Sequence, residues 1–385
     1  MTRTYLDHAA STPMRPVAIE AVAVELSRTG NPSSLHGSGR AARKRVEECR
    51  EQIAAAVGAH PTEVVFTSGG TESDNLAVLG GFAAARRRGR DVVVCAATEH
   101  HAVLDTVHRL GTAGATVEVV GVDAEGRPDP EALAALVDRY ADRLGVVSVM
   151  AANNETGVCT DLDAVVAAGR RSPALLHSDA VQLVGQRPFS FADSGLDAVS
   201  LTGHKLGGPV GTGALLLRRD AAVDPIQFGG GQERELRSGT LDVAGIAGFA
   251  AAVDAAVAAL ATEQPRRAAL RDRLVAGVLA AVPGSRLNGG GERLPGIANL
   301  EFAGADADAV LMLLDRAGID CSTGSACSAG LAQPSHVLLA MGRDPRQARS
   351  ALRFSLGHPS TEADVAALLA ALPEAVERGR LASAA

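Results

Sequence analysis

The chain has 385 residues, 46% of them hydrophobic and 21% charged, with a formal net charge of −7; this is the composition of a soluble globular protein with one large domain and a smaller one. The acidic balance, the lack of Trp and an aromatic content of 3% exclude general nucleic-acid affinity and a stacking platform for single strands. Five cysteines, Cys49, Cys95, Cys159, Cys321 and Cys327, form no C-x-x-C pair, which excludes a disulfide framework and a zinc site, so no metal is expected.

Residues 1–8 carry no apolar signal core, and a cytoplasmic location is expected. Lys44 lies in a run of Arg and Glu that reads as the solvated face of a helix. From about residue 60 to 218, short apolar runs alternate with stretches of helical spacing. Strands are predicted at 64–66, 92–95, 117–120, 146–149, 175–177, 198–201 and 214–217, with helical spacing over 72–88 and 161–171. That alternation predicts an α/β domain with a mostly parallel central sheet, whose ligands gather beyond the carboxyl ends of the strands. The run Arg86-Arg87-Arg88-Gly89-Arg90 reads as a solvated helix end. Beyond about residue 240, helices at 241–262, 264–281, 306–317 and 361–378 and weaker strands at 297–302 and 351–356 predict a separate α+β unit, joined by the N-terminal arm. Residues 243–261 are the most apolar stretch, but Asp254 lies inside it, and a buried helix is expected in place of a membrane span.

Four constellations carry chemistry. In Thr67-Ser68-Gly69-Gly70-Thr71-Glu72 a strand runs through a glycine turn into a helix, where backbone N–H groups and a hydroxyl can receive an anion; an ordinary helix start capped by Thr71 has the same pattern. Asp179 follows the apolar run of 175–177 and needs a partner if buried. A pyridinium N–H is one candidate and a helix N-terminus the other. Lys205, in Thr202-Gly203-His204-Lys205, and Lys44 are the two lysines of a chain with 37 Lys and Arg. Arg replaces Lys as a surface charge but not as an amine that forms an imine, so Lys205 is the candidate for covalent chemistry. Cys327 lies among small residues in Ser325-Ala326-Cys327-Ser328-Ala329-Gly330, where a thiol is accessible, whereas Cys321 reads as a structural strand residue. An anion cup, a carboxylate, an imine-forming Lys and an accessible thiol together describe a pyridoxal phosphate enzyme with a sulfur nucleophile.

Further stretches complete the pattern: Tyr5-Leu6-Asp7-His8-Ala9-Ala10, Gly30-Asn31-Pro32-Ser33-Ser34, Thr98-Glu99-His100-His101, Asn153-Asn154-Glu155-Thr156-Gly157, Arg237-Ser238-Gly239-Thr240 and Arg353-Phe354-Ser355-Leu356-Gly357. With them the chain resembles, nearly end to end, the cysteine desulfurases of the NifS/IscS type. These belong to the class V aminotransferase branch of fold-type I pyridoxal phosphate enzymes. The resemblance implies a large cofactor domain at 14–259. Residues 1–13 and 260–385 then form the small domain, which carries the catalytic Cys loop at about 321–334. It implies that Lys205 carries the cofactor and moves the substrate's Cα proton, while His100 stacks on the ring and takes part in acid–base steps. Asp179 then pairs the ring nitrogen, and Gln182 and Asn154 contact the ring's oxygen side. Gly70, Thr71, Thr202 and His204 hold the phosphate, joined by Thr240 from a partner subunit. Arg353, helped by Asn31, clamps the substrate carboxylate, and Cys327 takes the sulfur as a persulfide.

The implied reaction converts L-cysteine to L-alanine. The implied partners are a second copy of the chain and a sulfur-acceptor protein, an iron–sulfur scaffold or a thiolation enzyme, with neither nucleic acid nor membrane. Selenocysteine lyase or another pyridoxal phosphate C–S lyase is the alternative. A non-catalytic sulfur-carrier scaffold is less favoured, because Lys205, Asp179, His100 and Cys327 are all present. Three features depart from the family pattern. Thr202 stands where Ser is common, and Thr156 and Cys159 stand where aliphatic residues are usual. The tail at 378–385 is shorter than in housekeeping members, where it helps dock the scaffold, so the resemblance leaves that docking open.

Overall fold

The computed structural model describes residues 3–324 and 333–384. Its centre is a seven-stranded sheet in the order Val64–Thr67, Gly213–Leu217, Ala198–Thr202, Leu175–Asp179, Leu144–Ser148, Val92–Ala96, Thr116–Val120. Neighbours pair in parallel except Gly213–Leu217, which runs antiparallel to both of its neighbours. The sheet is thus mostly parallel, as the alternating pattern predicts. Its inner strands and the edge strand Val64–Thr67 are buried along their whole length, because helices cover both faces. The edge strand Thr116–Val120 is largely half-exposed and alternates polar and apolar residues over its first four positions.

The helix Val243–Ala258 is buried along most of its length and packs on Pro16–Leu26 and Gly37–Val57. Its polar start is satisfied by Asp242, whose carboxylate accepts from the Gly245 N–H at 2.9 Å. It turns by 74° into Leu260–Ala281. Among the described residues no single helix is long and apolar enough to cross a membrane.

A second core lies beside the sheet. The strands Ser285–Asn288, Ile297–Phe302 and Ala351–Ser355 form an antiparallel sheet. Leu270, Leu274 and Val278 of the long helix, Val310 and Leu314 of Ala307–Arg316, and Leu368 and Leu372 of Glu362–Ala384 cover it. The N-terminal arm enters this core. Thr4–Tyr5 pairs in parallel with Ile319–Asp320, Leu6 is fully buried, and the Ser355 N–H donates to the Leu6 carbonyl at 2.7 Å. From Leu6 the arm crosses to the large sheet, where Ala9 joins the main core. This crossing brings the second core and the carboxyl ends of the parallel strands to one place.

Candidate functional site

Strand ends build the site. Val64–Thr67 leads to Ser68–Thr71, Val92–Ala96 to His100, Leu144–Ser148 to Asn154, Leu175–Asp179 ends at Asp179 itself, and Ala198–Thr202 leads to Lys205. Gly213 starts the antiparallel strand in register with both Thr67 and Thr202, so it lies at the same edge of the sheet. There a cavity of about 550 Å³ opens. Gly70, Thr71, Thr202 and His204 line it, as do His100, Asn154, Asp179, Gln182, Lys205 and Arg353.

The Lys205 amine donates to the Ala9 carbonyl, and to that of Ala10 at 2.8 Å. Burial, aided by the charge of Arg353, lowers its pKa to about 8, while Asp179 and Asp7 pull the other way. An amine in that range has a usable unprotonated fraction near neutrality. Asp179 is 5% exposed. Burial raises its pKa to about 6, against the Val181 N–H, which donates to it at 2.9 Å, and the charge of Lys205. That N–H contact is the kind a helix start makes, yet residues 181–183 form a turn and no helix follows.

His100 precedes the helix His101–Thr112, and its Nδ1 accepts from the Ala102 N–H at 3.1 Å. Burial and then the charge of Lys205 lower its pKa to about 4, so the ring is neutral with its proton on Nε2. His204 is lowered to about 4 by the same two causes, and its Nδ1 lies 2.7 Å from the Ser11 hydroxyl.

The anion cup is shaped by absent side chains. Gly69, with φ of 148°, precedes the helix Gly70–Asn75 in the cap position, so Thr71 is not the cap. A Cβ on Gly70 would lie 2.8 Å from Val181 Cγ2. The first N–H groups of such a helix have no partner within it and are free for an anion. The helix runs on through a π-type segment, Leu76–Gly80, to Arg86.

On the opposite wall Arg353 is 4% exposed. Its Nη2 pairs with Asp7 Oδ1 at 2.7 Å and its Nη1 donates to the Asn154 carbonyl at 2.9 Å. The Gln182 amide nitrogen donates to the Ala9 carbonyl at 2.9 Å, while its buried Oε1 has no hydrogen-bond partner among the described residues. A phosphorylated pyridine aldehyde fits this set. The glycine cup suits the phosphate, Lys205 the aldehyde, Asp179 a ring nitrogen, His100 a ring face, and the site has room for an amino acid beside Arg353.

Two residues singled out in the sequence lie outside the cavity. Asn31 and Thr240 are exposed and not among its lining. The segment before Thr240 is tied to the cup's helix by Arg237, whose Nε pairs with Glu72 at 2.7 Å. Cys327 lies outside the described residues. Lys44 is solvated, 3.7 Å from Glu48 on the helix Gly37–Val57.

The cavity also holds residues to which sequence reasoning gave no role. Asp74 lines it, the Ala9 and Ala10 carbonyls hold Lys205, and Asp7 holds Arg353. The signal for Asp7 was the opening motif, which carried the resemblance but not a role. Cys321 packs against the second core and also faces the cavity, with its thiol pushed up to about 12 by burial and the charges of Asp7 and Asp320. Thr156 closes a turn. Its hydroxyl donates to Asn153 Oδ1 at 3.1 Å, and the same oxygen accepts the N–H groups of Glu155 and Thr156.

Residues 4–368 match the family described as aminotransferase class-V. The chain is 53% identical to the IscS-like cysteine desulfurase of Mycobacterium tuberculosis, over 98% of each sequence. It is 38% identical to the cysteine desulfurase IscS of Dictyoglomus turgidum, over 98% of this chain and 96% of the other. Among solved structures it is similar to a NifS-like protein, with a TM-score of 0.91 at 34% identity, covering 98% of this chain and all of that one (100%).

Proposed function

The chain belongs to the class-V aminotransferase family, and from that premise we propose that it is a pyridoxal-phosphate-dependent cysteine desulfurase, taking sulfur from L-cysteine onto Cys327 and releasing L-alanine. The observation that carries this is one cavity lined by an imine-competent Lys205, a buried Asp179, a neutral His100 and Arg353. The full-length similarity to cysteine desulfurases supports the same reading.

Pyridoxal phosphate, when bound, supplies an electron sink for the pair left at Cα on proton loss, which weakens the bond from Cβ to sulfur. The chain's residues do the rest. Gly70, Thr71, Thr202 and His204 would hold the phosphate, and Asp179 the ring nitrogen. Gln182 and Asn154 would flank the ring's oxygen, and His100 its face. Arg353 would receive the substrate carboxylate through a two-pronged charge-assisted contact. Lys205 Nζ, with its lowered pKa, would take the Cα proton and hold it on the wall next to the Ala9 and Ala10 carbonyls. The Cys327 thiolate would attack the substrate sulfur. A sulfur–sulfur bond forms, the carbon–sulfur bond breaks, and Cβ gains a proton, so cysteine and thiol balance alanine and persulfide.

A homodimer follows in this reading. Thr240 would reach a partner's phosphate, and the large apolar side chains Leu35, Val210 and Phe228, at 88%, 79% and 81% exposure, would gain a covering. Leu35 and Phe228 lie close in sequence to Asn31 and Thr240, the two residues missing from the cavity. The persulfide would pass to an acceptor protein of iron–sulfur assembly or of thiolation.

Borohydride reduction followed by peptide mapping tests the proposal. The bound cofactor is expected to become fixed to Lys205, and Cys327→Ala is expected to keep the cofactor while losing sulfide release from cysteine. Label on Lys44, or full desulfuration by the Cys327→Ala variant, would overturn it.

A further inference from the structure

An Asp in the sequence Glu72-Ser73-Asp74-Asn75 reads as a solvated helical acid, yet Asp74 is 1% exposed and faces the same cavity as Asp179 and Lys205. Its Oδ1 has no hydrogen-bond partner among the described residues. His177 Nε2 lies 3.5 Å away. His177 stands two residues before Asp179 on the same strand, so both side chains point to one face of the sheet. The imidazole is no counter-ion. Its Nδ1 lies 2.9 Å from the Ser148 hydroxyl and its Nε2 3.0 Å from that of Ser200, and burial lowers its pKa to about 3.

The other ionisable groups that act on Asp74 are acids: Asp179 from the strand Leu175–Asp179 and Glu99 from the segment before His101–Thr112. Only the Ser200 hydroxyl, from Ala198–Thr202, favours its charged form, and burial plus the charge of Asp179 raise its pKa well above the usual carboxylate range. Asp179, by contrast, has the Val181 N–H and the charge of Lys205. Two buried carboxyl groups that line one cavity and repel each other, with the amine acting on only one of them, do not both ionise.

We infer that Asp74 is a positioning residue of this site, a carboxyl that stays neutral and keeps its proton next to His177 and Ser200, so that Asp179 is the single anion presented to the cofactor ring. The ring's part in this rests on the desulfurase reading; the protonation does not. A second full charge would compete with Asp179 for the ring nitrogen and for Lys205, and the retained proton prevents that.

Infrared difference spectroscopy on cofactor-free protein tests it without turnover. At about pH 7.5 the wild type minus Asp74→Asn difference is expected to contain the carbonyl stretch of a protonated carboxylic acid. A difference made only of carboxylate bands would overturn the inference. Because Asp74→Asn can disturb folding, wild-type protein labelled with ¹³C-aspartate provides the same test, since Asp179 is largely ionised at that pH and an isotope-shifted acid band is then expected from Asp74. No such band means that Asp74 is charged. In Asp179→Asn the acid band is expected to titrate away at least one pH unit lower than in wild type, because the neighbouring charge is gone; an unmoved titration would also overturn the assignment. If the acid band is present but cysteine is not desulfurated, the functional reading fails and the protonation stands.

Discussion

Arg353 carries the substrate contact in the proposed site, and its geometry makes a sharp demand. Its two terminal nitrogens already diverge, one to Asp7 and one to the Asn154 carbonyl, and its Nε is buried without a partner among the described residues. A planar guanidinium can hold these contacts and still turn a donor edge to a carboxylate; an ammonium is a point charge with no fixed fork. Arg353→Lys is therefore expected to raise KM for L-cysteine by about tenfold or more, roughly 1.4 kcal/mol or more of lost binding, while the spectrum of the bound cofactor stays in place. Steady-state kinetics with a parallel absorbance spectrum checks this, and an unchanged KM would remove Arg353 from the substrate site. Not every residue of the site was equally legible in the sequence. Lys205 stood out because the chain writes Arg almost everywhere else, a signal that needs no fold. Arg353 is one of many arginines, and only a whole motif distinguished it. Asp74 was illegible, since its burial depends on strands about a hundred residues further along the chain that close over its helix.

At the scale of elements, the strands of the main sheet were legible because each is a short apolar run with a turn at either end. Their order was not. The antiparallel insertion of Gly213–Leu217 between Val64–Thr67 and Ala198–Thr202 is a long-range pairing that no local pattern encodes. Gly213 records its consequence. A Cβ there would meet the Leu201 carbonyl oxygen at 2.6 Å and the Gly69 Cα at 2.7 Å, both backbone atoms, so no side-chain rotation relieves it. Gly213→Ala must push the Ser68–Gly70 turn away from the strand, at a cost of about 1–3 kcal/mol by the usual scale for overpacking. The expected outcome is a lowered thermal midpoint together with weaker retention of pyridoxal phosphate on dialysis. A variant that melts lower but retains the cofactor as firmly as wild type would separate this strand from the anion cup. Gly70→Ala meets only the end of a Val181 side chain, which can turn, and its effect should be the milder of the two.

Over the whole molecule, the buried titratable groups set opposing dependences on pH. His8 is 7% exposed, bonded through Nδ1 to Thr12 at 2.7 Å and through Nε2 to Ser360 at 3.2 Å, and burial lowers its pKa from 6.5 to about 4. His100 and His204 are lowered to about 4 and His177 to about 3. A histidine with a lowered folded pKa stabilises the fold fully above its unfolded value of 6.5. That contribution fades as pH falls towards the folded value, because the unfolded chain takes the proton first. Asp74, Glu99 and Asp179 behave in the opposite sense. Their folded pKa values are raised, so their contribution is complete below the ordinary carboxylate range and is lost as pH rises through the folded values, about 6 for Asp179. Paired comparisons isolate the two signs where the sum does not. His8→Asn removes one member of the first group that does not itself line the cofactor cavity. Its stability deficit against wild type is expected to be largest above pH 6.5 and to shrink by about 3 kcal/mol between pH 6.5 and 4, at about 1.4 kcal/mol for each pKa unit. Asp74→Asn is expected to gain on wild type as pH rises from 5 to 8, since only the wild type must keep or expel a buried proton there. Urea midpoints of the cofactor-free protein across this range decide both. A His8→Asn deficit that is constant with pH would mean that the His8 pKa is the same in the fold as in the unfolded chain, and an Asp74→Asn difference that does not move would mean that Asp74 titrates as an ordinary acid.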